Sequence, residues 1–527
     1  MYEADISFIN GKVYSMEREG EKFEAFSVRD GKILATGDNN KISGIHAAKT
    51  INLSGHTVLP GMIDCHQHTF NYAKTLLQAD LKECVNITEV QEKLQALKNR
   101  GNIKEGWIRG FGFDEQKFPN QELPCRKKLD EVSRNQPVII TRYCMHICVV
   151  NSKVLELAGM DPSGDGVIRE TDMKAILDMI PDPCPDKEAK KEILYDALKE
   201  MSSHGITGIH PIQGKFVGAP EYLNLYQELY EEGRLPERVY ISFDEFPSFS
   251  MKTGFGNDYL KYGFFKIYSD GSLGTRDAAL SEEYTDDPGN KGILNYSEEE
   301  ITDLCKKAYE QDLQVGIHAI GDRGIEVAVN AMEKCYRKNP KKNVRFRLIH
   351  GTVMRKDLIK RIKDLPIIVD IQPGYTSNTN IWWSADRLGE ERLKYSYAWN
   401  TLKKAGIMMT GSSDAPVEPI DPFWGVWSVV MRQDENGRPN GGWRSEERLS
   451  VFDAVSLYTK NAAYSSFDEN KKGTLTAGKL ADFIVTDMDV FQTPGNMIKD
   501  IRVLETWLGG KKIYDIKEDG KNVFGQQ

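Results

Sequence analysis

The chain has no long apolar run. None approaches the ~20 residues that a membrane-spanning helix requires, and residues 1–5 are acidic, unlike a secretory signal. It also lacks an excess of positive charge, since 69 basic residues against 78 acidic ones give a net charge of −9. This balance argues against a nucleic-acid or anionic-membrane partner. We therefore expect a cytoplasmic protein.

Cysteine is sparse and scattered. The chain has eight, and only Cys144 and Cys148, on either side of His146, suggest a thiolate metal site. No second cysteine pair stands at the spacing of a zinc ribbon. We expect reduced thiols rather than a disulfide framework.

Histidine is also scarce, but its placement is informative. Four of the nine histidines follow apolar runs. His66 and His68 end the run LPGMIDCHQH, and residues i and i+2 of a strand point to the same face. His318 (QVGIHAIGD) and His350 (RFRLIHG) each follow a shorter run and precede glycine. The pattern predicts imidazoles at the carboxyl ends of strands.

Two further polar residues follow apolar runs, as the four histidines do. Lys266 (FFKIYSDGS) and Asp414 (IMMTGSSDAPV) also follow apolar runs, and a β/α barrel keeps its chemistry at the carboxyl ends of its strands. Imidazole and carboxylate ligands favour one or two divalent ions, with Zn²⁺ first and Fe or Mn as alternatives. A lysine ammonium has no lone pair. Lys266 would bind metal only after its amine reacts with CO₂, and otherwise would pair with Asp270 or contact substrate.

The chemistry of such a site indicates roles for the remaining candidates. A metal ion lowers the pKa of water toward ~7, and Asp414 is the candidate that shuttles its proton. His146 and His210 end strands near the presumed barrel mouth, where each could contact substrate or metal. Trp424 is one of several tryptophans after barrel strands that could line an apolar substrate pocket.

The order of apolar and helical stretches predicts an α/β fold. Strands alternate with helices through the middle of the chain, which favours a parallel sheet with right-handed crossovers. We predict nine candidate strands, one more than the eight of a barrel. They are 58–63, 137–142, 206–210, 238–243, 264–269, 314–318, 345–350, 367–372 and 406–411.

Both ends of the chain have a sequence pattern different from that of the middle. Short strands and hairpin turns such as Asn10-Gly11 and Asp30-Gly31 fill the start, and the tail repeats them. We predict one small β-sandwich from residues 1–57 and 471–527. Residues 58–470 then form the barrel, with an insertion at 69–136.

Many motifs in one order resemble a known family. They include VLPGMIDCHQH, FKIYSDGSLGTRDAAL, HAIGDRG, RLIHG, GSSDAPVEPIDPFWGVWSVVMR and GTLTAGKLADFIV. Together they resemble the amidohydrolase superfamily, in its amidohydrolase-3 or YtcJ-like branch. The resemblance covers nearly the whole chain.

The resemblance implies a metal-dependent hydrolase on a distorted (β/α)8 TIM barrel with a composite β-sandwich. The ligand histidines of the family fall on His66, His68, His318 and His350, and its catalytic aspartate falls on Asp414. The strand-end lysine of several branches falls on Lys266, and a histidine that faces substrate falls on His146.

Two positions depart from the family pattern. Ile349 stands where the family often has Glu, so a hydrogen bond that supports the next histidine could be missing. Cys125 stands where Thr is common. Neither position is a predicted ligand.

We predict hydrolysis of a non-peptide carbon–nitrogen bond in a small molecule, by attack of metal-activated water. The favoured substrate is a linear amide, an N-acyl or N-formyl amine. The alternatives are a heterocycle deaminase of the same superfamily and a catalytically dead binding or regulatory relative. A homo-oligomer is compatible with the sequence.

Overall fold

The computed structural model describes residues 3–99, 106–142, 147–161, 163–169, 171–181, 184, 186–213, 221–247, 250–377 and 380–519. Within them the strands, in chain order, are β1 (Ala4–Ile9), β2 (Lys12–Tyr14), β3 (Lys22–Phe23), β4 (Ala25–Arg29), β5 (Lys32–Gly37), β6 (Ala47–Asn52), β7 (Thr57–Pro60), β8 (Met62–Gln67), β9 (Ala79–Asp80), β10 (Ile108–Phe113), β11 (Val138–Arg142), β12 (Ile147–Val150), β13 (Val167–Arg169), β14 (Ile206–Gln213), β15 (Arg238–Phe243), β16 (Leu260–Tyr268), β17 (Gln314–Ala319), β18 (Phe346–His350), β19 (Ile367–Ile371), β20 (Met409–Gly411), β21 (Phe483–Thr486), β22 (Val503–Leu508) and β23 (Lys511–Asp515).

The α-helices of the same residues are α1 (Asn39–Ser43), α2 (Thr69–Thr75), α3 (Ile87–Asn99), α4 (Arg126–Val132), α5 (Ser152–Leu157), α6 (Thr171–Leu177), α7 (Lys187–Ser203), α8 (Glu221–Glu231), α9 (Glu298–Glu310), α10 (Asp322–Lys338), α11 (Lys356–Lys363), α12 (Asn380–Leu393), α13 (Trp399–Lys404), α14 (Pro422–Met431), α15 (Val451–Leu457) and α16 (Lys460–Ser465). None of these helices has the length and apolar character that crossing a membrane demands.

The chain divides into two compact units. The first holds residues 3–69 and 198–519 of the described chain, and the second holds residues 70–197. The first unit contains the barrel and both terminal sheets. The second contains a separate five-stranded sheet.

The barrel of the first unit is an eight-stranded parallel sheet. Its strands lie in the order β8, β14, β15, β16, β17, β18, β19 and β20. The chain after β20 returns to β8, where the N–H of Asp414 donates to the carbonyl of His66 at 2.9 Å and the N–H of His68 donates to the carbonyl of Ala415 at 2.9 Å. These two bonds bring both predicted histidines of the first strand beside Asp414.

Alternation along β8 separates the ligand face from the packing face. Cys65 packs against Ala462 and Ala463, and the amide of Gln67 donates to Met201 Sδ at 3.6 Å. Because successive side chains of a strand point to opposite faces, His66 projects to the other side. Gln67 therefore lies on the packing face and His66 on the ligand face.

The surplus ninth strand belongs outside the barrel. Residues 137–142 form β11 of the second unit rather than a barrel strand. The predicted strand 58–63 is two strands, because β7 joins a terminal sheet and β8 joins the barrel. The break falls at Gly61, where a Cβ atom would lie 2.2 Å from Thr207 Oγ1, so the close approach of the chains requires glycine there.

Two terminal sheets pack together in the first unit. One has four strands in the order β5, β4, β1, β6, and the other has six in the order β23, β22, β21, β7, β2, β3. Their shared core contains Phe8 and Phe26 from the start of the chain and Phe483 and Trp507 from its end. The predicted α/β barrel with additional β-structure is confirmed.

The second unit is a sheet covered by helices. Its strands lie in the order β13, β12, β11, β10, β9. Val138 and Ile140 pack with Leu94 of α3 and Leu129 of α4, whereas Ile139 packs in a separate cluster with residues of α5 and α6. The strict alternation along β11 shows a strand that is buried on both faces.

Candidate active site

The barrel strands bring the predicted ligands to one end. His66 lies in β8, Lys266 in β16, His318 in β17 and His350 at the end of β18. His68 directly follows β8, and Asp414 lies in the turn just after β20. Each is therefore at the carboxyl end of a parallel strand, where the side chains of neighbouring strands meet.

Asp414 is the centre of the ligand geometry. Its Oδ1 lies 3.3 Å from His66 Nε2 and 3.4 Å from His68 Nε2. Candidate ligand atoms of His66, His350 and Asp414 all lie within 4.8 Å of one another. Two ligands ~2.1 Å from one tetrahedral Zn²⁺ are separated by ~3.4 Å, so the two distances to Asp414 Oδ1 match those around a shared ion.

The imidazole rings pack edge to face. The ring centroids of His66 and His68 are 5.5 Å apart, and those of His66 and His350 are 5.4 Å apart. The centroids of His318 and His350 are 4.4 Å apart with an interplanar angle of 74°. The four histidines therefore form one contiguous cluster.

Burial keeps three of these imidazoles, those of His66, His318 and His350, neutral. It lowers the pKa of His66 and His318 well below 6.5 and lowers the pKa of His350 to about 4. A neutral imidazole has the lone pair that a metal ion requires. The cluster is therefore prepared for a cation at pH 7.

The backbone is unusual at two of these positions. His350 has φ 76° and Asp414 has φ 54°, a left-handed conformation that residues other than glycine seldom adopt. Such conformations concentrate at functional sites, where the surrounding structure compensates for the strain.

The two oxygens of Asp414 have different environments. Tyr375 OH donates to Oδ2 at 3.1 Å, whereas Oδ1 is buried with no hydrogen-bond partner among the described residues. Burial alone would raise the pKa of Asp414, but the nearby imidazoles of His68 and His350 and the amine of Lys266 lower it below 3.8. The carboxylate is ionised, with one oxygen fixed and the other available.

Lys266 lies inside the barrel as a buried amine. It is 1 % exposed, and its Nζ has no hydrogen-bond partner among the described residues. Burial lowers the pKa of Lys266 to about 7, although Asp414 and Asp370 act to raise it. A large neutral fraction at pH 7 makes the amine a nucleophile and a candidate for reaction with CO₂.

Asp270 does not serve as the partner of Lys266. Its carboxylate accepts the backbone N–H groups of Ala279, Ile320 and Gly321 at 3.0, 3.1 and 2.8 Å. His318 Nε2 lies 3.5 Å from Asp270 Oδ1. The ion pair that the sequence offered as an alternative for Lys266 is therefore absent from the described contacts.

The donor set fits a divalent ion. Neutral imidazoles and an ionised carboxylate converge, and the buried Asp414 Oδ1 lacks a hydrogen-bond partner among the described residues. A buried carboxylate oxygen without a partner is costly, and a cation at this point would satisfy it. His66, His68, His350 and Asp414 are placed to hold the ion.

Two residues of the site were not predicted from the sequence. Tyr375 and Gln372 follow β19, whose end has no histidine or ionisable ligand. His350 Nδ1 lies 2.7 Å from Gln372 Oε1. Ile349, at the position where a supporting Glu was expected, packs instead with Ile212 and Phe264 inside the barrel. The support for His350 therefore comes from the neighbouring strand.

His210 lies in a buried polar layer. Its Nδ1 is 3.0 Å from Arg347 Nη1, and Arg347 also donates to Asp370 Oδ2 at 2.7 Å and to the carbonyl of Cys65 at 2.7 Å. His210 Nε2 has no hydrogen-bond partner among the described residues. Contact of His210 with substrate stays a prediction.

His146 and Trp424 are the remaining site candidates from the sequence, and Cys125 is the second departure from the family pattern. His146 lies outside the described residues. The ring centroid of Trp424 is 4.8 Å from that of Trp427, over which Lys499 is placed, and no described contact joins Trp424 to the histidine cluster. Cys125 is the N-cap of α4 and forms no side-chain cap hydrogen bond.

Comparison with known proteins identifies the family. Residues 49–514 match the model of the amidohydrolase family. The chain belongs to the amidohydrolase family. This amidohydrolase is 32 % identical to the YtcJ protein of Bacillus subtilis (strain 168), over 96 % of this chain and 98 % of that protein. It is 24 % identical to an N-substituted formamide deformylase of Arthrobacter pascens, over 97 % of this chain and 98 % of the relative.

A solved structure agrees with both the fold and the class. A metal-dependent hydrolase from Pyrococcus furiosus matches with a TM-score of 0.71 and 28 % identity, over 92 % of this amidohydrolase and 100 % of that chain. The predicted family and enzyme class are confirmed: the protein is a hydrolase of carbon–nitrogen bonds. A divalent metal cofactor and a small-molecule substrate agree with the family.

Proposed function

We propose that this amidohydrolase cleaves a linear amide, an N-acyl or N-formyl amine, with Zn²⁺ as its metal ion. The observation that carries the proposal is the cluster around Asp414, with Oδ1 lying 3.3 and 3.4 Å from two imidazoles. The formamide-cleaving relative covers nearly the full chain and supports the linear amide over a heterocycle.

Six residues at the carboxyl end of the barrel are the proposed ligands of the metal ion. They are His66, His68, Lys266, His318, His350 and Asp414. A divalent ion held there supplies Lewis acidity, which lowers the pKa of water toward ~7 and polarises a carbonyl. Lys266 joins the ligands once its neutral amine reacts with CO₂, which forms a carbamate and releases a proton.

Asp414 handles the proton in this proposal. It is ionised and can accept the proton of the attacking water as the carbon–oxygen bond forms. It then returns the proton to the nitrogen, so that the carbon–nitrogen bond breaks and a neutral amine leaves. Tyr375 holds Oδ2 of the carboxylate and so fixes its orientation.

The substrate side of the site rests on three predicted contacts. His146, His210 and Trp424 are the candidates. No described side-chain contact joins His210 or Trp424 to the proposed ligands, and His146 lies outside the described residues. Cytoplasmic location and a homo-oligomeric state also stay predictions.

A hydrolysis screen with metal analysis of the same sample tests the proposal. Formylated and acylated amines and, in parallel, amino-substituted heterocycles are offered to Zn²⁺-loaded protein, and released acid and ammonia are measured separately. Released formate or another carboxylic acid supports the proposal, whereas ammonia from heterocycles would favour a deaminase. Protein that retains no metal after gentle purification would favour a catalytically dead relative. Incubation with ¹³C-labelled bicarbonate should give a carbamate NMR signal that Lys266→Ala abolishes.

A further inference from the structure

His350 has a short polar contact away from the candidate metal position. Its Nδ1 lies 2.7 Å from Gln372 Oε1, and the two side chains are only 4 % and 1 % exposed. They belong to the ends of the neighbouring parallel strands β18 and β19. Both groups can donate or accept, so the direction of this bond decides which nitrogen of His350 is free.

The surroundings of Gln372 determine that direction. Its Nε2 lies 3.3 Å from the carbonyl of Asp370 and 3.0 Å from Ser412 Oγ. The single hydroxyl hydrogen of Ser412 goes to the carbonyl of Ile371 at 3.0 Å. The carbonyl of Asp370 can only accept, and Ser412 Oγ accepts when its hydrogen goes to Ile371, so the NH₂ group of Gln372 faces both. The carbonyl end of the amide must face His350.

The consequence for His350 follows from donor and acceptor chemistry. A carbonyl oxygen has no hydrogen to donate, so Nδ1 of His350 must carry the proton. The lone pair of the neutral ring is then on Nε2, and the partner of one ring nitrogen determines which nitrogen can bind a metal. The bond thus selects the nitrogen that is available to an ion.

We propose that Gln372, oriented by Ser412, is a positioning residue that holds His350 in the Nδ1-protonated form and presents Nε2 to the metal ion. This inference rests on the proposed metal centre. It also explains how the site functions with Ile349 where the family pattern has Glu, because an uncharged amide from the adjacent strand supplies the acceptor.

Two substitutions at one position separate hydrogen bonding from packing. Gln372→Leu removes the acceptor and should weaken Zn²⁺ binding about 10- to 100-fold, the usual cost of losing a partner of a ligating histidine. Gln372→Glu keeps an oxygen acceptor toward His350, and as a buried, protonated carboxyl it can still donate to Ser412 in place of the amide N–H. It should therefore bind Zn²⁺ close to the wild-type affinity. The affinity is measured by competition with a chromogenic chelator, which needs no substrate.

Gln314→Leu is the matched control. Gln314 is also a buried glutamine of the barrel, and its amide joins Tyr240 OH at 2.8 Å and the carbonyls of Arg345 and Ser465 at 2.8 and 2.9 Å. It begins β17, at the opposite end of the barrel from the ligands. This variant should lower the Tm but leave Zn²⁺ affinity unchanged. Wild-type affinity in Gln372→Leu, or an equal loss in Gln314→Leu, would overturn the inference.

A measurement on the metal-free wild-type protein keeps the test independent of folding in Gln372→Leu. Histidine labelled with ¹⁵N shows by NMR which ring nitrogen carries the proton, and His350→Gln assigns the signal. Protonation at Nδ1 is expected, and protonation at Nε2 would contradict the assignment. A wild-type protein that binds no Zn²⁺ would instead end the proposed function, because the NMR result does not depend on the ion.

Discussion

At the scale of single residues, the site depends on the two oxygens of Asp414. Tyr375 holds Oδ2 at 3.1 Å, and Oδ1 faces two imidazoles. Fixing one oxygen leaves the other with a defined direction, as a metal ligand and a proton carrier both require. The left-handed backbone of Asp414, with φ 54°, is part of the same arrangement.

Asp414→Asn should separate these two roles. The amide keeps the shape of the side chain but is a poor base, so turnover should fall about 100- to 10,000-fold, the usual contribution of general acid–base catalysis. Metal content should be retained, because four imidazoles remain. Turnover and elemental analysis are measured together, with Asp258→Asn, a surface carboxylate paired to Lys471, as the control. Turnover near wild type would remove Asp414 from the mechanism.

At the scale of elements, a half-buried histidine connects two segments of the first unit. His204 follows α7, and its Nδ1 lies 3.6 Å from Oδ2 of Asp421, the N-cap of α14. Its Nε2 lies 3.9 Å from Glu200 Oε1. Burial alone would lower the pKa of His204, but these two carboxylates raise it to about 10.

His204→Gln should therefore reduce stability in a pH-dependent way. The folded protein keeps a proton that the unfolded chain releases above pH ~6.5. The stabilisation is complete below that pH and is lost as the pH rises toward the folded pKa of about 10. The difference in Tm between wild type and variant should be largest near pH 6 and should shrink by pH 10. His56→Gln controls for removal of an imidazole, and a difference that is constant with pH would contradict the ion pair.

At the scale of the whole molecule, the ligands depend on barrel closure. They come from β8, β16, β17, β18 and the segment after β20, so no short fragment of the chain contains the site. Binding an ion to residues that converge only after folding stabilises the folded state. Metal binding and stability should consequently change together.

Removing the metal should lower the Tm. An ion at 100 times its Kd stabilises the folded state by about 2.7 kcal/mol, and a chelator removes that contribution. The Tm of Zn²⁺-loaded protein is compared with that of chelator-treated protein by calorimetry. His66→Ala should melt at the same temperature with and without Zn²⁺. A wild-type Tm that does not change when the chelator is added would argue against the shared ion site.

The sequence predicted the barrel because its strands and helices are strongly periodic. It nominated the candidate ligands because polar residues after apolar runs stand out where histidine is scarce. It could not assign residues 137–142 to the second unit, since a strand buried on both faces has the same pattern in either sheet. It also missed Tyr375 and Gln372, because a tyrosine and a glutamine after a strand are ordinary residues until their partners are known.

What the sequence determined by itself was the kind of chemistry, because residue types and their order after apolar runs are local properties. The tertiary structure decided which groups share a hydrogen bond, since that depends on contacts between strands distant along the chain. Asp270 turns to the backbone and to His318 rather than to Lys266. His350 is supported by Gln372 rather than by its own strand, because only the packed barrel places the end of β19 beside the end of β18.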